Sequence, residues 1–210
     1  DNEITIQNDG NTADVKVDYF EIGESTLLGQ WKLNEKYDRT AADTSGMGNN
    51  GLLYGNVGWK SGILNNGLKL DGETGYLWIP RGDDTAQSSG FTVSMWVKPE
   101  TEKDQTIFVK TEQENAEAFS HALRIRNGKF EAYAYDKEAK SVSSVTQVEA
   151  DTWYYLTMTV SDGDELKLYV NGNLEGSCSV GAVWDGGDAY LVGSSADKKE
   201  FYQGLVDEIR

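Results

Sequence analysis

Asn127-Gly128, Asp162-Gly163 and Asn171-Gly172 each stand between two short runs in which apolar and polar residues alternate. Such dipeptides tolerate positive φ at both positions and follow the twist of paired strands, so they are the strongest short-range signal of a β-hairpin. Strand-like runs recur at 27–33, 68–70, 76–79, 91–98, 106–110, 121–127, 129–135, 153–160, 165–171, 189–193 and 201–210, with turn residues between them. A helical period is absent apart from one turn near 112–118. Many short, evenly spaced strands predict an all-β antiparallel two-sheet sandwich. Composition agrees: Gly is abundant at 23 and Pro rare at 2, while 38% hydrophobic residues suffice for one large core. No apolar run reaches the length of a membrane span.

Alternation also assigns faces, because successive side chains of a strand point to opposite sides. Phe91, Val93, Met95 and Val97 share one side of their run, and Thr92, Ser94, Trp96 and Lys98 the other. Leu123 and Ile125 point to the core, leaving Arg124 and Arg126 outside. Phe130, Ala132 and Ala134 are inward, with Glu131, Tyr133 and Tyr135 opposite. Leu166, Leu168 and Val170 face in and Tyr169 faces out. Trp31, Met95, Leu123, Leu156, Leu168 and Val206 are the expected core. If the strands are neighbours, one outer face carries Trp96, Arg124, Arg126, Tyr133, Tyr135 and Tyr169.

The net charge of −16, from 19 basic and 35 acidic residues, repels nucleic acid and anionic membrane and is compatible with neutral sugars and calcium. The single cysteine, Cys178, permits no intrachain disulfide, and the single histidine, His121, has no Cys or His cluster with which to build a zinc site. Cys178 reads as a small buried hydrophobe and His121 as a hydrogen-bonder at a strand edge or pocket.

Residues 3–7 and 15–22 alternate around the turn Asn8-Asp9-Gly10-Asn11, a hairpin pattern. A lone hairpin is marginal in water and needs a packing partner. Residues 1–24 therefore read either as the tail of a preceding module or as extra strands of the main domain, which spans 25–210. The run Val15–Ile22 resembles the last strand of another sugar-binding β-sandwich family. The chain opens at Asp1 without a signal peptide and reads as a piece cut from something longer.

The segment Asp43-Thr44-Ser45-Gly46-Met47-Gly48-Asn49-Asn50-Gly51 is a loop whose glycines let backbone carbonyls turn inward. With the carboxylate of Asp43 and the carbonyls of Met47 and Asn49, it suits a hard cation such as Ca²⁺. The alternative is a plain Gly/Asn turn with a surface aspartate. After it come Leu68-Lys69-Leu70-Asp71-Gly72, Thr92-Val93-Ser94-Met95-Trp96-Val97-Lys98-Pro99, Thr152-Trp153-Tyr154-Tyr155, Leu168-Tyr169-Val170-Asn171-Gly172 and Gly204-Leu205-Val206-Asp207-Glu208-Ile209-Arg210. In this order and spacing the series resembles the laminin-G-like branch of the concanavalin A-like lectin/glucanase superfamily, over about residues 27–210. The resemblance implies a jelly-roll β-sandwich, often with one structural calcium, serving as a sugar-binding or adhesion module. It also pairs the final strand with the one holding Trp31, which would bring Asp207 to the same ion as Asp43. Trp31, Trp59, Trp96 and Trp153 fall at tryptophan positions of that pattern and read as scaffold.

Trp78, in Tyr76-Leu77-Trp78-Ile79-Pro80, stands where the pattern has a small or polar residue, and Trp184 lies in the loop 183–188. A ligand platform, or a cover for residues 1–24, would account for either. The candidate ligand residues are therefore Trp78 and Trp184, or the face with Arg124, Tyr133 and Tyr135. Aromatic rings stack on the apolar faces of sugar rings, and arginines bond the hydroxyls. A glucanase of the superfamily would need working carboxylates flanking one glycosidic bond, on a pattern close to Glu-x-Asp-x-x-Glu. Asp162-Gly163-Asp164-Glu165, Asp207-Glu208 and Glu131–Asp136 do not match it. The expected function is a non-catalytic carbohydrate-binding module of a secreted or cell-surface glycan-degrading enzyme, with other modules of the same polypeptide and a polysaccharide or oligosaccharide as partners. A structural or adhesion spacer is the alternative from another class, and a glycoside hydrolase with dispersed carboxylates a third.

Overall fold

The computed structural model describes residues 27–80, 90–111, 119–136, 138–161, 165–181 and 189–210. The hairpin expected at 1–24, the turn near 112–118, the Asp162-Gly163 turn and Trp184 lie outside the described residues. The strands are β1 (Thr40–Ala41), β2 (Gly51–Tyr54), β3 (Val57–Ser61), β4 (Asn66–Asp71), β5 (Tyr76–Pro80), β6 (Gly90–Pro99), β7 (Gln105–Thr111), β8 (Phe119–Arg126), β9 (Lys129–Asp136), β10 (Glu138–Gln147), β11 (Tyr154–Ser161), β12 (Glu165–Val170), β13 (Asn173–Ser179), β14 (Ala189–Val192) and β15 (Gln203–Asp207). They form two antiparallel sheets, in the orders β1-β2-β5-β14-β7-β8-β9-β10 and β13-β12-β11-β6-β15-β4-β3. Stacked face to face, they make the expected jelly-roll β-sandwich.

Two of the expected hairpins are closed as their turns demand. Asn127 and Gly128 have φ of 52° and 70° between β8 and β9, and Asn171 and Gly172 have 52° and 81° between β12 and β13. Positive φ at both central residues is the type I′ geometry that follows the strand twist.

The core lies between the sheets. Met95 pairs with Leu156, and Met158 with Leu168, so the seven-stranded sheet presents an unbroken apolar inner face. From the other sheet Leu77, Leu123, Ile125, Phe130 and Ala132 meet it, all fully buried. Phe130 and Tyr154 bridge the sheets edge to face, with centroids 4.9 Å apart. Every expected core residue is buried, Trp31 at 6% exposure and Met95, Leu123, Leu156, Leu168 and Val206 at 0%. Trp59 is partly buried against the core and donates its indole N–H to the Asp38 carbonyl at 3.1 Å.

Three expectations need correction. Trp96 and Tyr169 do not share a face with Arg124: β6 and β12 belong to the seven-stranded sheet, where Trp96 packs on Tyr155 at 5.2 Å. The run 27–33 forms no ladder. Leu33 adopts a φ of 53°, which breaks an extended chain, and only Trp31 bridges, to Asp43 and Ile209. The run 201–210 likewise narrows to β15, because Glu208 at φ 48° turns the chain before Ile209 reaches Trp31.

Candidate functional site

The outward side of the eight-stranded sheet holds most of the candidate residues in one place. Cross-strand register aligns Leu52 with Trp78, Trp78 with Leu191, Leu191 with Val109, Val109 with Ala122, Ala122 with Tyr133, and Tyr133 with Ser141. Residues directly opposite across strands share a face. Trp78 and Tyr133 thus stand in one lateral row, four strand spacings or roughly 19 Å apart. The small apolar side chains Leu191, Val109 and Ala122 form its floor. They are buried although they point away from the main core, in a second apolar cluster with Tyr76, Trp78 and Tyr133.

A second row carries the polar groups. Thr106 pairs with Arg124 and Arg124 with Glu131. The Arg124 guanidinium donates to Glu131 Oε1 from Nε at 2.9 Å and from Nη2 at 2.6 Å, and lies 4.5 Å from the centre of the Tyr133 ring. Burial pushes the Tyr133 phenol up, and the Arg124 charge opposes it. Arg126 donates to Glu200 Oε2, which also accepts from the Thr106 hydroxyl at 3.1 Å.

The wall of this groove is the connection after β14. Its turn is built on Ser195, whose hydroxyl accepts from the Lys199 and Glu200 N–H groups and donates to Asp197 Oδ1 at 2.6 Å. Lys198 reaches over the Tyr76 ring at 5.6 Å, and Tyr76 stacks on Tyr54 at 5.1 Å. Val109 and Ala122 of the floor, the two arginines and part of this wall line an open groove of about 590 Å³, with Thr106, Ala196 and Glu200 among its other residues.

Of the candidate ligand residues, Trp78, Arg124, Tyr133 and Tyr135 come onto this one face; Tyr135 is the more exposed, at 40%. The two surfaces that alternation leaves separate, one at Trp78 and one at Tyr133, are a single surface because β14 is inserted between β5 and β7. Sequence reasoning misses Thr106, Val109, Ala122 and the whole Ser195–Glu200 wall. The signal for the wall is its composition, a polar loop after a buried strand, where binding residues concentrate.

His121 points inward. It stacks on Phe91 at 4.2 Å, and its Nδ1 lies 2.9 Å from the Ser120 hydroxyl. Cys178 is half-buried against the core, and burial raises its thiol.

The loop expected to hold calcium is tied together by Asp43. Its Oδ1 accepts from the N–H groups of Gln30 at 3.0 Å and Ser45 at 2.9 Å, and its Oδ2 from Asn49 N–H at 2.9 Å. Burial works against the charge, but these N–H donors outweigh it and hold the carboxyl below its ordinary range. The Asn49 carbonyl accepts the Trp31 indole N–H at 2.9 Å, leaving its second lone pair, and Met47 is exposed at the loop tip. Asp207 is engaged elsewhere, at the turn after β3, where its carboxylate accepts from Ile63 and Leu64. The structure thus brings Asp43, Met47 and Asn49 into one loop, while Asp207 serves another. Among the described residues no group of three or more His, Cys, Asp or Glu side chains converges, so a cation here would draw mainly on carbonyls.

Residues 71–210 match the concanavalin A-like lectin/glucanases superfamily, and the chain belongs to it. Similar folds occur in domain 4 of AbnA, a GH43 extracellular arabinanase from Geobacillus stearothermophilus solved with arabinotriose. It is 18% identical, with 87% of this chain and 90% of that one covered and a TM-score of 0.69. The botulinum neurotoxin serotype D binding domain is 20% identical, with 87% of this chain and 47% of that one covered and a TM-score of 0.67. The serotype D ligand binding domain solved with N-acetylneuraminic acid is 21% identical, over 88% of this chain and 46% of that one, with a TM-score of 0.66. The chain spans about half the length of the neurotoxin domains. No curated protein matches it.

Proposed function

We propose that this chain is a non-catalytic carbohydrate-binding module that takes an oligosaccharide or polysaccharide into the groove on the outer face of its eight-stranded sheet. The observation that carries the reading is the lateral row from Trp78 to Tyr133, an apolar floor between two rings with the Arg124–Glu131 and Arg126–Glu200 pairs beside it. Rings at both ends stack on the apolar faces of sugar units, and the pairs bond their hydroxyls. Among the described residues Glu131, Glu200 and Asp197 are each paired with a cation, Arg124, Arg126 and Lys199, which suits binding better than a pair of working hydrolytic carboxylates. The complexes of fold relatives with arabinotriose and N-acetylneuraminic acid support a glycan ligand. The arabinanase relative supports a place beside other modules of a secreted or cell-surface glycan-degrading enzyme. Among the described residues no helix is long and apolar enough to cross a membrane.

A structural calcium in the 43–50 loop belongs to the same proposal. Asp43 would hold it through the remaining lone pair of Oδ2, together with the carbonyls of Met47 and Asn49, and Asp207 would join only if its carboxylate, set at the 62–66 turn, reached the same ion. When bound, the ion would supply charge to fix the loop and no chemistry on the sugar.

Isothermal titration against a panel of plant and bacterial oligosaccharides tests the reading. Trp78→Ala and Tyr133→Ala should each weaken binding roughly tenfold, since each removes one stacking platform. Wild-type affinity in both variants would exclude this face. A complete absence of glycan binding would favour the spacer role.

A further inference from the structure

We infer that the groove selects neutral glycans bearing vicinal hydroxyls and rejects acidic ones. The inference rests on the carbohydrate-binding reading and specifies the chemistry of its ligand. Among the described residues three cations line the groove: Arg124, Arg126 and Lys199. Each is paired with a carboxylate of the protein itself. Arg124 is held by Glu131 and Arg126 by Glu200, and Lys199 lies 2.9 Å from Asp197. Lys198 does not line the groove and sits over the Tyr76 ring.

An anionic sugar needs a cation to offset the water that its carboxylate loses. Here it would have to displace a built-in carboxylate. The Arg124–Glu131 side chains are 17% and 13% exposed, so a displaced Glu131 would be left largely out of water without its partner, which is strongly unfavourable. The overall charge of −16 adds repulsion at long range.

A neutral diol meets the opposite situation. Glu131 Oε1 takes both Arg124 bonds, so Oε2 offers an acceptor beside the further guanidinium N–H donors. One sugar hydroxyl can donate to the carboxylate while its neighbour accepts from the guanidinium, and the ion pair stays intact. The Arg126–Glu200 pair on the next stretch of the groove repeats the arrangement.

The test is a comparison of matched probes by titration calorimetry, at low and at high salt. The neutral set is arabinan-, galactan- and xylan-derived oligosaccharides, and the acidic set oligogalacturonides and sialyllactose. The expected result is binding confined to the neutral set, with affinity changing by no more than about twofold between the two salt conditions, because no net ion pair forms. Glu131→Gln, which frees Arg124, should weaken neutral binding and raise the relative affinity for oligogalacturonide by roughly tenfold. Preferential binding of the acidic set by the wild type, or an acidic-to-neutral ratio unmoved by Glu131→Gln, overturns the inference and leaves the carbohydrate-binding reading in place. Failure of every probe to bind overturns both.

Discussion

The carboxylate of Asp207 accepts the backbone N–H of Ile63 at 2.9 Å, across 144 positions of sequence. The same oxygen accepts from Leu64 at 3.1 Å, and Oδ1 from Glu208 at 2.8 Å. A Cβ at Gly62 would lie 2.4 Å from this oxygen, so only glycine lets the turn close on it. Asp207 is the peg that fastens the β3–β4 turn to the last strand. Asp207→Ala leaves three N–H groups without that acceptor and should cost about 1–3 kcal/mol for each one that water cannot reach, read as a lower urea midpoint. A midpoint equal to the wild type would show that the turn holds without it.

Burial pushes the Asp207 carboxyl from 3.8 up to about 6, against the pull of the Leu64, Glu208 and Ile63 N–H groups. A carboxyl whose folded value is raised favours folding most when protonated, and that contribution is lost as pH climbs from 3.8 through about 6. The stability of the wild type relative to Asp207→Asn, which does not titrate, should therefore fall across this window. Parallel pH profiles for the two proteins would contradict it.

His121 works in the opposite direction. Full burial, and next the nearby Lys110 charge, hold its imidazole well below 6.5. A histidine depressed in the folded state contributes stability above 6.5 that is lost as pH falls, because the unfolded chain takes up the proton first. As the only histidine, it gives unambiguous imidazole resonances. They should show no titration through pH 6.5 in the folded protein, and a midpoint there would mean that the ring is not packed between Phe91 and Phe108.

Leu168 sits at 0% exposure opposite Met158. Leu168→Ala should cost roughly 2–5 kcal/mol through lost burial and the cavity left behind. Val145, 76% exposed on β10, is the control, and its alanine variant should stay within about 0.5 kcal/mol of the wild type. Equal effects at the two sites would mean that the burial contrast does not govern stability.

The calcium proposal predicts a metal-dependent melting temperature. An ion that binds only the folded state adds about 2.7 kcal/mol at a hundred times its Kd. Calcium added to metal-stripped protein should raise Tm, chelator should reverse the rise, and Asp43→Ala should abolish both. Identical Tm with and without chelator rules the site out.

Alternation along single strands is enough to separate Leu123 from Arg124 and Phe130 from Tyr133, and to name a core that is buried throughout, because which way a side chain points depends only on its parity within the strand. It does not say which strands are neighbours. Trp96 and Arg124 have the same parity relation to their cores, yet they sit on opposite sheets. Trp78 and Tyr133 join in one row only because β14, contributed from far along the chain, pairs with both β5 and β7. The strands β3, β10 and β13 are not legible in the sequence because each ends a sheet, so one side lacks a partner strand and the apolar pattern is weak. At Gly176 of β13 a Cβ would lie 2.3 Å from the Val142 side chain, and that close approach is a fact of packing between sheets. The partners Glu200 for Arg126 and Ile63 for Asp207 are likewise tertiary. A local period records burial, whereas strand order and side-chain partners follow from burying both sheets at once, and the groove exists only at that level.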